Sequence, residues 1–145
     1  MYKNILIATD GSRFAEKGVR HGVMLAKALA ARVTVVTVSE PLEAIVMLGA
    51  GTHFPSPDYI EADARSAAGT LAVAQEIAKA MGVACETVHV SDVPPAEGIV
   101  GEAQKRGTDL IVMASHGRRG VSRLLLGSQA NKVVTHSKVP VLICR

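Results

Sequence analysis

The sequence predicts a doubly wound α/β fold, an open parallel five-stranded sheet with helices on both faces. Three observations predict it. Strand-length apolar or β-branched runs alternate with stretches of helical period. Glycine and proline punctuate the junctions between them. One run, Leu110-Ile111-Val112-Met113, carries no polar residue at all, as expected of a strand buried on both faces of a parallel sheet.

In chain order, Tyr2 to Thr9 reads as the first strand, with Ile5, Leu6, Ile7 and Ala8 as its buried run. Asp10-Gly11-Ser12 ends it, and Ser12 is a suitable N-cap for the helix that follows to about Ala31. In that helix Phe14, Gly18, Gly22, Leu25 and Leu29 form the expected inward stripe, bordered by His21. Arg32 to Ser39 is rich in β-branched residues and reads as the second strand. Pro41 to Asp58 is irregular, punctuated by Gly49-Ala50-Gly51 and Pro55-Ser56-Pro57, the pattern of a lid or binding loop.

A second long helix spans Tyr59 to Met81, with Ala67, Leu71, Ala74, Ala78 and Met81 at buried spacing. Gly82 caps it, and Val83 to Val90 alternates into a third strand that carries His89 on one face. Pro95 suits the first turn of the helix Ala96 to Arg106, which Gly107 terminates before the strand that begins at Asp109. Ser128 to His136 is the last helix and Val139 to Cys144 the last strand. Pro140 offers no ladder donor, which places that strand at an edge.

The 145 residues are 48% hydrophobic, enough for one domain over residues 1–145. The apolar runs are strand-sized and no signal-peptide pattern opens the chain, so the expected location is cytoplasmic with no membrane partner. The two cysteines, Cys85 and Cys144, show no metal-ligand spacing and are expected to be small buried residues. A net charge of +3 suits a small polyanion. With no Trp, two Tyr and two Phe, the stacking aromatics of a nucleic-acid surface are nearly missing.

Chemistry concentrates after Met113. The chain turns polar and glycine-rich at Ser115-His116-Gly117-Arg118-Arg119-Gly120, and reaches Gly127-Ser128 just before a helix. Strand, glycine loop and helix start make an anion site, because glycine permits close backbone approach and a helix N-terminus points N–H groups at phosphate oxygens. Arg118, Arg119 and Arg123 add positive charge nearby in sequence. The bland alternative is a tight turn with solvated arginines. Asp10, at the carboxyl end of its strand, stands where open α/β sheets bind ligands.

Over nearly its whole length the sequence resembles the universal stress proteins of the single-domain type. Their nucleotide-binding branch carries Gly, two residues, Gly, nine residues, Gly, then Ser or Thr. The corresponding positions here are Ala114, Gly117, Gly127 and Ser128, with the spacing kept. Ala114 departs from the pattern: its methyl group is expected to crowd a nucleotide, and alanine would cost about 1 kcal/mol if the backbone there needed positive φ.

The resemblance implies strand order 3-2-1-4-5 and a homodimer paired through Val139–Cys144. It also implies a site for ATP or a related adenine nucleotide, AMP, ADP or cyclic AMP, with any Mg2+ carried by the nucleotide. Asp10 would meet the ribose, Ala8, Thr9 and Val38 the adenine, and Met113 and Ala114 one wall. Gly117, Gly127, Ser128 and Gln129 would offer N–H groups to the phosphates, with Arg118 or Arg119 at a terminal phosphate. No residue is assigned a catalytic or metal-binding role. GxxxxGKS is absent and no second carboxylate accompanies the loop, so at most slow ATP hydrolysis, with His116 as base, is expected. A dimeric interaction protein without nucleotide is the other alternative.

Overall fold

The computed structural model describes residues 1–41, 56–117 and 125–145. Its strands are β1 (Asn4–Ala8), β2 (Arg32–Val38), β3 (Cys85–Val90), β4 (Leu110–Ala114) and β5 (Val141–Cys144). Between them run α1 (Arg13–Leu29), α2 (Pro57–Ala80), α3 (Pro95–Lys105) and α4 (Ser128–His136). All strand pairings are parallel and the order is β3-β2-β1-β4-β5.

Period-2 alternation splits the strand side chains between two cores. Ile5, Ile7, Val33, Val35, Leu110 and Val112 pack on one face against Val19, Val23 and Ala26 of α1 and Leu71, Ala74 and Ile77 of α2. Leu6, Ala8, Val36, Ile111 and Met113 pack on the other against Ala96, Ile99 and Ala103 of α3 and Ala130 and Val133 of α4. The inner strands β1, β2 and β4 therefore have almost no solvent face, which is why they read as near-continuous apolar or β-branched runs, whereas the edge strand β3 leaves Glu86 exposed.

The inward stripe of α1 matches the expected one at Gly18 and Gly22 but not at Phe14, Leu25 and Leu29. Ala15, Gly18, Val19, Gly22, Val23 and Ala26 are buried, whereas Phe14 is 54% exposed and Leu25 and Leu29 are only partly covered. His21 is exposed. Small residues face the sheet because α1 sits very close to it: a Cβ built on Gly22 would lie 2.6 Å from Ile7 Cδ1, and one on Gly18 3.2 Å from the Ala114 nitrogen. A large Phe or Leu on that face would hold the helix off.

Other boundaries shift by small amounts. α2 begins at Pro57, where Ser56 caps it by accepting from the Tyr59 N–H, and β3 begins at Cys85 rather than Val83. β5 begins after Pro140, whose carbonyl accepts from Ile111 N at 3.0 Å, and it is an edge strand. Cys85 and Cys144 are half-buried, since both lie on edge strands, and burial pushes both thiols above their ordinary pKa. The expected lid between Pro41 and Asp58 falls largely outside the described residues.

Candidate functional site: a crevice at the carboxyl ends of β1, β2 and β4

β1 is flanked by β2 on one side and β4 on the other, and the chain leaves their carboxyl ends toward opposite faces of the sheet. This is the switch point at which open α/β sheets hold ligands. A cavity of about 430 Å³ lies there, within the usual range of small-molecule sites. Ala8, Thr9 and Asp10 line it from the end of β1, Val36 to Glu40 from β2, and Met113 to Gly117 from β4. Gly127, Ser128, Gln129 and Ala130 close one end.

Local hydrogen bonds fix Asp10. Gly11, at φ 79°, makes the turn that an L side chain would resist, and its N–H donates to Thr9 Oγ1 at 3.2 Å. The Ser12 N–H donates to Asp10 Oδ1 at 2.9 Å, while Ser12 Oγ caps α1 by accepting from Ala15 N at 3.1 Å. The other carboxylate oxygen, Oδ2, lies against Gly117, where a Cβ would overlap it. Gly117 is glycine because the loop after β4 passes directly over Asp10.

Gly127 plays a different part from the one its N–H suggests. That N–H donates to Ser115 O at 2.8 Å, and a Cβ on Gly127 would sit 2.6 Å from the same oxygen. Gly127 thus clamps the end of β4 to the start of α4 and is the N-cap of that helix, with no side-chain cap bond. The donors that α4 cannot satisfy internally are the first-turn N–H groups of Ser128, Gln129 and Ala130, all at the cavity. Together with the helix dipole they make this end favourable to an anion.

Ala114 lies in β4, is 8% exposed and lines the cavity. Among the described non-glycine residues only Ala30 and Asp92 have positive φ, so the backbone cost expected for Ala114 does not arise. Arg118 and Arg119, along with Arg123, fall outside the described residues. The carboxylates among the described lining residues are Asp10, Glu40 and Asp63, with the His116 imidazole also in the lining. Among the described residues no group of three or more His, Cys, Asp and Glu could hold a metal ion.

The α2 wall is the part of the site absent from the sequence-predicted residues. Asp63, Ser66, Ala67 and Thr70 line the cavity, and their spacing of three, one and three is one face of a helix. A polar strip running beside the buried Ala67-Leu71-Ala74 stripe was the available signal. Ser39, Pro95 and Ile99 also line the site.

The geometry agrees with what the chain is related to. Residues 1–145 match the universal stress protein family. The chain belongs to the universal stress protein family. A universal stress protein of Thermus aquaticus is 34% identical over 145 residues, covering both chains in full. The solved structure of the universal stress protein UspA from Lactobacillus plantarum superposes with a TM-score of 0.80 at 25% identity, covering 99% of this chain and 98% of that one. A universal stress protein solved in complex with cAMP superposes with a TM-score of 0.72 at 26% identity, covering 99% and 97%. Among the described residues of this universal stress protein no helix is long and apolar enough to cross a membrane.

Proposed function

We propose that this protein binds ATP or a related adenine nucleotide in the β1/β2/β4 crevice and acts as a nucleotide-responsive dimeric module of the stress response. The observation that carries the reading is the cavity of about 430 Å³, which joins the carboxyl end of β2 to the uncapped N-terminus of α4. A nucleotide needs those two things together, an apolar slot for a base and free N–H groups for phosphates.

In this reading Ala8, Thr9 and Val38 hold the adenine, Asp10 accepts from the ribose hydroxyls, and Met113 and Ala114 form a wall. Gly117, Ser128 and Gln129 serve the phosphates, and Gly127 holds α4 in place for them. Arg118 and Arg119 belong to the proposal through their charge and their place in the sequence after Gly117. The relative solved with cAMP supports an adenine nucleotide as the ligand class. The exposed edge of β5 suits self-pairing across a two-fold axis, and the working compartment is the cytoplasm.

The test is a thermal-shift titration of nucleotide-stripped protein with ATP, ADP, AMP and cyclic AMP, with and without magnesium. A ligand confined to the folded state adds about 2.7 kcal/mol at a hundred times its Kd. The expected result is a melting temperature that climbs with concentration and is graded by phosphate number. No shift with any of the four into the millimolar range sinks the proposal.

A further inference from the structure

The cavity offers different chemistry at its two ends. Adjacent strands are about 4.8 Å apart, so the β2 and β3 ends lie about 10–14 Å across the sheet from the β4 end and its anion-favouring helix start. At the far end stand Ser39, immediately after β2, and Asp63, from the wall formed by α2. His89 of β3 reaches both: its Nε2 is 2.7 Å from Ser39 Oγ and 3.6 Å from Asp63 Oδ2. The Ser39 N–H in turn donates to Val90 O at 2.8 Å, tying β2 to β3 behind the cluster.

One imidazole nitrogen serves both neighbours, so this is not a proton relay through two ring nitrogens. Its hydrogen bond is to Ser39, and the ring lies beside the Asp63 carboxylate at longer range. Asp63 Oδ1 has no hydrogen-bond partner among the described residues, and an ionised carboxylate accepts hydrogen bonds but cannot donate them.

We propose that Asp63 is a specificity-determining residue of the nucleotide site, with His89 as its positioning residue. A nucleotide whose phosphates sit at the α4 N-terminus extends its base toward the β2 and β3 ends. There the Asp63 carboxylate accepts from an exocyclic amino group. A 6-oxo purine turns an acceptor to that same point, and its N1–H lies one ring position away, so the contact is lost unless the base shifts, which selects adenine over hypoxanthine. The proposal rests on the nucleotide reading above and names the group that reads the base.

The test measures Kd for ATP and for ITP, its 6-oxo counterpart, in the wild type and in Asp63→Asn. A hydrogen bond to a charged group corresponds to about tenfold or more in Kd, so the wild type is expected to prefer ATP by that factor. Asp63→Asn keeps the shape and can donate its amide N–H to O6, so the ATP-to-ITP preference should collapse or invert. His89→Gln should weaken the preference without inverting it. If the wild type binds ATP and ITP equally, or Asp63→Asn changes both Kd values by the same factor, Asp63 only pins α2 and the proposal is overturned. If neither nucleotide binds the wild type, the nucleotide reading itself fails, and base selection with it.

Discussion

The two ends of the sheet treat the same strands in opposite ways. At the starting end, Asp109 accepts from Lys3 N at 2.8 Å and Asn4 N at 3.1 Å, links across 106 and 105 positions of sequence. The Asn4 side chain donates back to Arg106 O at 2.8 Å, and Asp109 N to Asn4 O at 3.0 Å. At the finishing end, β1 and β4 diverge around a cavity whose polar walls come from separate elements. One end is cross-linked and satisfied; the other keeps space and donors for something else. The closed end stabilises, and the open end is free to carry function because the closed one holds the strands in register.

If that division holds, substitutions at the two ends should separate binding from stability. The largest effect is expected for Gly127→Asp, which forces a side chain onto Ser115 O and puts a carboxylate beside the proposed phosphates. Like charge at contact costs several kcal/mol, so calorimetric titration should show ATP affinity down by more than about a hundredfold. Asp109→Ala strands the Lys3 and Asn4 donors at the other end. Urea unfolding should record a loss of about 1–2 kcal/mol while the nucleotide Kd stays put. A parallel change in Kd would show the ends to be coupled.

Ala114→Gly sharpens the comparison from within the crevice. It removes the methyl of a cavity-lining residue and adds entropy to the unfolded chain, so a stability loss of about 0.5–1 kcal/mol is expected. The Kd should move by no more than about fourfold, the worth of one buried carbon.

The smallest effect probes one thiol at each end, Cys85 at the start of β3 and Cys144 at the finish of β5. Burial raises both pKa values; at Cys85 a backbone hydrogen bond involving Val35 opposes the rise and the Glu86 charge adds to it. Because the folded thiols ionise at higher pH than the unfolded ones, the fold gains from them at neutral pH and loses that gain as pH climbs through the alkaline range. Urea midpoints followed upward from pH 7 should therefore fall more steeply in the wild type than in Cys85→Ala or Cys144→Ala. Equal slopes would mean that burial does not perturb these thiols.

The fold was legible because both faces of the inner strands β1, β2 and β4 are covered. Strands such as Leu110–Ala114 then carry no solvent-facing polar residues, and their length and flanking glycines separate them from helices. The stripe of α1 was misread for a related reason. Large apolar residues usually mark the inward face, but a helix packed this close to a sheet turns its smallest residues inward and leaves Phe14 outside. Asp10, Gly117 and Ser128 could be singled out because turns, close approaches and helix starts demand particular residue types. Asp63 shows only as part of a polar strip on α2, and His89 not at all, since Asp on a helix and His in a strand satisfy many ordinary roles.

By itself the sequence determined the alternation of elements, the burial of β1 and β4, and the glycines at which the chain turns or passes close to itself, because periodicity and backbone freedom are local properties. The tertiary structure decided which of those residues meet. It set Gly117 over the Asp10 carboxylate, spent the Gly127 N–H on Ser115, and carried His89 of β3 to Asp63 of α2 across 26 positions of chain. Such meetings depend on strand order and on how near a helix lies to the sheet, and no local pattern encodes either one.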